Sequence, residues 1–227
     1  RKALMPLWGA QPMPPPAWPQ AWKGAAASPL KAGSLAYFHI PFCTNHCVFC
    51  GFYRNAWKEE HGRPYVDRLI AELATEAAAR LAGGSIDAVY FGGGTPTALA
   101  SEDLVRLLAA VRQHLPLADD CEITLEGRIS HFGPEKVAAC LAAGVNRISI
   151  GVQSFDSRLR RRLGRQHGGD EAAAYLKALA ADNDAVIVAD LIFGLPGQDD
   201  ACWANDIDTA LGLGLAGIDL YAFNAYP

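Results

Sequence analysis

The chain alternates between short apolar runs and longer segments whose apolar residues recur every three or four positions. The short runs are rich in β-branched and aromatic residues, as buried strands are. They lie at 36–41, 86–91, 122–126, 146–151, 185–192 and 216–222. Alternating strands and helices predict an α/β fold with a parallel sheet covered by helices, and six such units predict a partial, TIM-like (β/α)6 barrel.

The segments between the runs supply the helices of this prediction. We expect Pro64 to open the first helix, because proline suits a first helical turn, and Gly83 and Gly84 to end it. We expect Ser101 to cap the second. The remaining helices are expected from Pro134 to Gly144, over 170–181 and over 201–212.

Residues 1–33 differ from the rest, since they contain seven of the fourteen prolines and three of the five tryptophans, Trp8, Trp18 and Trp22. Proline fixes φ and removes a donor, so we expect an extended segment without a core of its own. Three tryptophans suit docking onto a main domain, residues 34–227, better than a solvated tail. The chain starts at Arg1 and stops at Pro227, just after a strand-like run. We therefore expect both ends to be cut and a C-terminal part to be missing.

Three cysteines, Cys43, Cys47 and Cys50, lie in one loop directly after the first predicted strand. No further cysteine follows until Cys121. Iron–sulfur cubes are normally held by four thiolates, so three thiols would leave one iron open. A structural zinc site would need a fourth ligand, which His46 inside the loop can hardly supply. A disulfide framework suits small secreted chains, whereas this chain has 227 residues and no apparent signal peptide.

Composition narrows the function classes. Hydrophobic residues make up 51% of the chain, charged residues 19%, and the net charge is −4. This balance suits a protein with a sizeable core and carries no polyanion-binding signature, so a nucleic acid is not expected as a partner. No stretch approaches eighteen uninterrupted apolar residues, so no membrane span is expected. Reduced cysteines indicate the cytoplasm.

Polar residues follow several predicted strands at the end where a βα barrel carries its active site. The glycine run 92–94 follows the second strand, Glu126 ends the third, Gln153 follows the fourth, and Asp190 lies in the fifth. Glycines let a ligand approach the backbone closely. Neither a P-loop nor a dinucleotide-binding glycine pattern is present. We expect these groups to converge with the cysteine loop on one rim.

Together, the run from Tyr37 to Phe42, the CxxxCxxC loop and residues 92–96, 151–155 and 190–196 resemble the radical SAM superfamily, in its coproporphyrinogen III oxidase-like branch. The resemblance covers roughly residues 36–227. It implies a [4Fe–4S] cluster whose fourth iron is chelated by the amino and carboxylate groups of S-adenosylmethionine (SAM). One electron then cleaves the sulfonium and gives a 5′-deoxyadenosyl radical.

The resemblance also implies roles for individual residues. Cys43, Cys47 and Cys50 would hold the cluster, while Tyr37, Gly93 and Glu126 would contact its SAM. Oxygen-independent coproporphyrinogen oxidase has a second SAM alongside, and relatives can keep the same residues for a single SAM. The positions matching the second site are Phe49, Gly94, Thr95, Gln153, Arg165 and Asp190.

Departures from the branch pattern bear on the substrate. Phe52 stands where coproporphyrinogen oxidase has another cysteine, and residues 50–55 with Glu126-Gly127-Arg128 resemble the haem-utilisation group. That group resembles radical methyltransferases that degrade haem anaerobically to a linear tetrapyrrole, with release of iron. The alternatives are coproporphyrinogen dehydrogenase and a non-catalytic haem chaperone. We expect a tetrapyrrole substrate, with haem favoured, and a reduced flavodoxin- or ferredoxin-like electron donor. Asn224 and Tyr226 are candidates for substrate contact.

Overall fold

A computed structural model describes residues 13–50, 55–80, 83–181 and 184–224. Its strands are β1 (Leu35–Ile40), β2 (Phe42–Cys43), β3 (Asn55–Ala56), β4 (Ile86–Gly93), β5 (Leu117–Gly127), β6 (Arg147–Gln153), β7 (Val186–Phe193) and β8 (Gly217–Ala222). Its α-helices are α1 (Trp18–Ala26), α2 (Glu59–Arg80), α3 (Ser101–His114), α4 (Pro134–Ala142), α5 (Ser157–Arg162), α6 (Gly169–Ala181) and α7 (Asp200–Gly212).

Six parallel strands form one sheet in the order β1, β4, β5, β6, β7 and β8. Spatial order therefore follows chain order, and β1 and β8 form the two edges. This arrangement confirms the predicted parallel α/β partial barrel. Strand β5 starts at Leu117, five residues before its predicted start at 122, and β4 continues to Gly93. The extension of β4 brings the glycine run to the carboxyl edge of the sheet.

Two predicted helix starts are wrong. Helix α2 begins at Glu59, so Pro64 lies inside it. Acidic residues in the first turn favour this earlier start, because they face the positive end of the helix dipole. Helix α3 begins at Ser101 itself, and its N-cap is Ala100, whose side chain makes no capping bond. Helix α5 was not predicted, because six residues are too few to show helical periodicity.

The proline-rich segment is only partly as expected. Residues 15–17 form a 3₁₀ turn and Trp18–Ala26 form helix α1, so the extended conformation is wrong for these residues. Pro19 falls in the first turn of α1, where its missing N–H needs no acceptor. Trp18 and Trp22 are 58% and 52% exposed, so the expected docking is wrong for these two side chains. Trp8 lies outside the described residues, and the boundary at residue 33 stays a prediction.

The main core lies between the sheet and the helices packed on its outer face. Its fully buried members include Val89, Leu107, Leu125, Ile148 and Leu191. The register of the strands places Tyr90, Thr124 and Arg147 side by side. Arg147 lies 3.5 Å from carboxylate oxygens of both Glu122 and Asp219. None of the helices within the described ranges is long and apolar enough to cross a membrane.

Candidate active site

The cysteine loop leaves the sheet at the carboxyl end of β1. Strand β2 pairs with β3, which places Phe42 opposite Asn55 and Cys43 opposite Ala56. A turn closes where the Cys50 N–H donates to the Cys47 carbonyl over 3.0 Å. Cys43 and Cys47 are buried, and Cys50 is partly exposed. Residues 51–54 lie outside the described residues. The substrate hypothesis that depends on Gly51-Phe52-Tyr53 therefore stays a prediction.

Each of the two buried thiols faces a hydrogen-bond donor. The Thr95 hydroxyl donates to Cys43 Sγ over 3.4 Å, and the Arg128 guanidinium donates to Cys47 Sγ over 3.0 Å. Burial raises the pKa of Cys43, while Thr95 and Arg128 act in the opposite direction. These donors favour the thiolate, which is the form that binds metal. The loop is therefore built to hold negative charge on sulfur.

The glycine run packs against the entrance of this loop. The Gly94 N–H donates to the Ile40 carbonyl over 2.7 Å. A Cβ on Gly94 would lie 2.5 Å from the Phe42 carbonyl oxygen, and Gly93 has a φ of +112°. Backbone atoms cannot move aside as a flexible side chain can, so both positions require glycine. At Gly94 the group that approaches closely is the backbone of the cysteine loop itself, and the predicted approach of a ligand to the glycines stays a prediction.

Glu126, the last residue but one of β5, has its carboxylate oriented by two donors. The Tyr90 hydroxyl donates to Oε1 over 2.8 Å, and the Gly93 N–H donates to Oε2 over 3.2 Å. Burial raises the pKa of this carboxyl above its usual value, and the charge of Asp190 raises it further. Tyr37 stacks on Tyr90 with ring centroids 6.1 Å apart. Tyr37 thus contacts Tyr90, which in turn donates to the Glu126 carboxylate. Tyr90 was not identified as a site residue from the sequence.

Gln153 is the only residue other than glycine with a positive φ in the described chain, at 75°. It lies at a register shift between β6 and β7. Buried Arg160 donates to the carbonyls on both sides, at 2.7 Å from Val152 O and 3.1 Å from Ser154 O. Strained backbone of this kind persists only where surrounding contacts determine it, and it concentrates at functional sites.

Asp190 and Arg165 complete the polar rim. The Ser149 hydroxyl donates to Asp190 Oδ1 over 2.7 Å, and burial raises the pKa of Asp190 to about 6. Burial lowers the pKa of Arg165 to about 10, which leaves it cationic at neutral pH. Its guanidinium lies 5.7 Å from the centre of the Phe49 ring. Among the described residues, its buried Nε has no hydrogen-bond partner.

A cavity of about 350 Å³ opens where these groups meet. Of the twelve residues that the resemblance assigns to the cluster or to SAM, ten line this cavity, and Cys43 and Tyr37 do not. The cavity is lined by Cys47, Phe49, Cys50, Gly93, Gly94, Thr95, Glu126, Gln153, Arg165 and Asp190. Asn224 lines it too, whereas Tyr226 lies outside the described residues. Sequence reasoning did not place Arg128, Ser149 or Tyr221 here, although Arg128 follows a strand end and could have been found from that position.

The donor set fits an iron–sulfur cube with one open iron. Two thiols of the loop, Cys47 and Cys50, line the cavity, and the third, Cys43, lies behind Thr95. The cations Arg128 and Arg165 suit the negative charge of thiolates. No three His, Cys, Asp or Glu side chains in the described ranges converge to hold a single metal ion. The thiolates of a cube bind different irons, so they need not converge in this way.

Comparison with known proteins agrees with this geometry. The family model of the radical SAM superfamily matches residues 37–210. Anaerobilin synthase of Escherichia coli O157:H7 is 48% identical over 228 residues, covering 99% of this chain and 51% of that protein. Heme chaperone HemW of Mycobacterium tuberculosis is 36% identical over 189 residues, covering 82% of this chain and 48% of that protein.

Among solved structures, coproporphyrinogen III oxidase (HemN) from Escherichia coli superposes with a TM-score of 0.81 at 28% identity. The match covers 92% of this chain and 48% of that one. The chain thus spans about half the length of the relatives it matches. The family model covers most of the sequence, and the cysteine loop lies within the matched residues. The chain belongs to the radical SAM superfamily.

Proposed function

We propose that this chain forms the SAM-cleaving part of an enzyme that degrades haem without dioxygen. The observation that carries the proposal is the three-cysteine loop at the mouth of the polar cavity, in a chain 48% identical to anaerobilin synthase. When bound, the cluster and SAM would supply a carbon radical and a methyl group for attack on the porphyrin ring. Ring opening to a linear tetrapyrrole with release of iron would follow.

The residues around the cavity have chemistry that suits a cationic amino acid with a ribose. Glu126, already oriented by Tyr90 and Gly93, can accept hydrogen bonds from an ammonium or a hydroxyl group. For a second SAM, Asp190 can accept from ribose hydroxyls and the Arg165 guanidinium can pair with a carboxylate. We assign Glu126, Gly93 and Tyr37 to the SAM at the cluster, with Tyr37 placed there by its stacking on Tyr90. Phe49, Gly94, Thr95, Gln153, Arg165 and Asp190 would serve a second SAM, which equilibrium dialysis can count.

The proposed substrate is tested by an anaerobic turnover experiment in which the products are identified by mass spectrometry. Full-length protein is reconstituted with iron and sulfide, then given SAM, a reductant and either haem or coproporphyrinogen III. We expect a methylated linear tetrapyrrole and free iron from haem. Loss of two carboxyl groups from coproporphyrinogen would replace the proposal with the oxidase activity named for HemN. Bound but unaltered haem would favour the chaperone function named for HemW.

We further propose that the electron comes from a reduced flavodoxin- or ferredoxin-like protein in a reducing cytoplasm, where all six cysteines would stay free as they are here. Val48 at the loop tip is 72% exposed. Arg161 and Arg162 are exposed on α5 and make no ion pair within the described part of the chain. Helix α5 adjoins the loop, because Asn45 Nδ2 donates to the Gly164 carbonyl over 2.8 Å.

This basic and apolar face suits an acidic carrier protein. Charge reversal at Arg161 and Arg162 should slow cluster reduction by reduced flavodoxin at low salt. Reduction by dithionite, which needs no docking surface, should be unchanged in the same variant. Equal rates with flavodoxin for the variant and the unmodified protein would contradict this assignment.

A further inference from the structure

Arg128 joins the cysteine loop to the end of β5. Its Nη1 donates to Asn45 Oδ1 over 2.6 Å, and its Nη2 donates to Cys47 Sγ over 3.0 Å. Its backbone N–H donates to the Thr97 hydroxyl over 3.2 Å, which fixes the origin of the side chain. Asn45 in turn donates to the Gly164 carbonyl. The Arg128 guanidinium thus makes two contacts with the cysteine loop. One stabilises the loop at Asn45, and the other places a positive charge beside the Cys47 sulfur.

The charge of Arg128 is directed at this sulfur. Across the described residues Arg128 makes no ion pair with a carboxylate, so no anion there neutralises it. The other cation of the site, Arg165, lies over Phe49, and its charge also acts on Cys47, but no hydrogen bond joins it to that sulfur in the described structure. Arg128 is therefore the guanidinium that contacts a cysteine sulfur in the described structure. A planar fork suits this double contact, because two of its N–H groups can point at two different acceptors.

We propose that Arg128 is a positioning residue that raises the reduction potential of the cluster held by Cys47. Reduction adds one negative charge to the cluster, and a cation with an N–H on a ligand sulfur stabilises the reduced form more than the oxidised one. The inference rests on cluster binding and is independent of which tetrapyrrole the enzyme uses. It assigns Arg128 a task beyond closing the loop.

The test is a redox titration of the reconstituted full-length protein, followed by electron paramagnetic resonance in the absence of SAM. Arg128→Gln removes the charge and keeps a polar side chain of moderate size. We expect its equilibrium constant for reduction to fall about tenfold, which lowers the midpoint potential by about 59 mV for a one-electron couple. Arg128→Lys keeps the charge on a flexible stem but cannot make both contacts. For Arg128→Lys we expect the equilibrium constant for reduction to fall about threefold, which lowers the midpoint potential by about 28 mV.

The matched control is Arg68→Gln, which removes the same charge from the exposed face of α2, where the arginine contacts no cysteine of the described chain. We expect its equilibrium constant to change by less than about twofold, or about 18 mV. Iron and sulfide contents measured on every variant separate a change in potential from a loss of cluster. If Arg128→Gln binds no cluster, the midpoint potential of Arg128→Lys is the measurement that tests the proposal.

Two results would overturn the proposal. One is a midpoint potential of Arg128→Gln within about 18 mV of the unmodified protein at equal iron content. The other is an unchanged potential in Arg128→Lys when Arg128→Gln is empty, which would leave Arg128 as a clamp of the loop. An unmodified protein that binds no iron would contradict the proposed function itself.

Discussion

Replacing Asp190 with asparagine should make the apoprotein more stable and bind SAM less well. Asp190 is held beside the cavity, where burial raises its pKa to about 6. An aspartate in an unfolded chain has a pKa of about 3.9. The folded protein therefore resists ionisation of this carboxyl, and ionised Asp190 lowers the free energy of unfolding. Asparagine keeps an oxygen for the Ser149 hydroxyl, which lies 2.7 Å from Asp190 Oδ1.

The sign and size of the effect follow from proton linkage. Between about pH 4 and pH 6 the folded chain keeps a proton that the unfolded chain releases, so stability falls as the pH rises through this window. A pKa difference of about 2 corresponds to about 3 kcal/mol above pH 6. Solvent screening at a partly exposed residue reduces this to about 2 kcal/mol. The gain from Asp190→Asn should therefore be full at pH 8 and about half as large at pH 5.

Urea unfolding of the apoprotein under anaerobic conditions at the two pH values measures this gain. Asp208→Asn on the exposed face of α7 is the matched control, and its free energy of unfolding should change by less than about 0.5 kcal/mol. Calorimetric titration of the reconstituted protein should show weaker SAM binding for Asp190→Asn. A variant no more stable than the unmodified protein at pH 8, or a gain that does not change with pH, would refute the reasoning.

Three further substitutions probe the same site. Glu126→Gln should weaken SAM binding by about 2 kcal/mol in calorimetric titration, because it removes the oriented charge; unchanged affinity would exclude Glu126 as a SAM ligand. Gly94→Ala should lower the free energy of unfolding by about 2 kcal/mol and reduce the iron content of the reconstituted protein, because its Cβ would lie 2.5 Å from the Phe42 carbonyl oxygen. Gly212→Ala, at the end of α7, has open space and should be neutral, and equal iron content in the two variants would contradict the expected effect at Gly94. Arg160→Met should lower the free energy of urea unfolding by about 3 kcal/mol, because it leaves buried carbonyls unpaired; a loss under about 1 kcal/mol would count against Arg160 holding Gln153.

The strands and the shared rim could be predicted from the sequence because both follow from local patterns. A buried parallel strand is a short apolar run, and the ends of such strands meet at one edge. Helix α1 could not be predicted in this way. Its prolines indicated an extended segment, yet Pro19 occupies the one turn of a helix that tolerates proline. Its exposed tryptophans likewise contradict a docking prediction made from composition alone.

The finer parts of the site depend on contacts between residues far apart in the chain. Arg128 reaches Cys47 across 81 positions, and no pattern in the sequence joins them. The positive φ of Gln153 depends on Arg160, which is placed by a helix too short to predict. Ser149 meets Asp190 because two strands lie in register. Such pairings become visible only when the sheet is assembled.

The measurement that tests the central claim most directly is electron–nuclear double resonance on the reduced full-length protein. SAM labelled with ¹⁵N at its amino group is added to the reconstituted cluster. We expect a coupling from this nitrogen, because three cysteines leave one iron for SAM. Cys47→Ala should lose both the cluster signal and the coupling. An intact cluster signal with SAM bound but no nitrogen coupling would contradict the account.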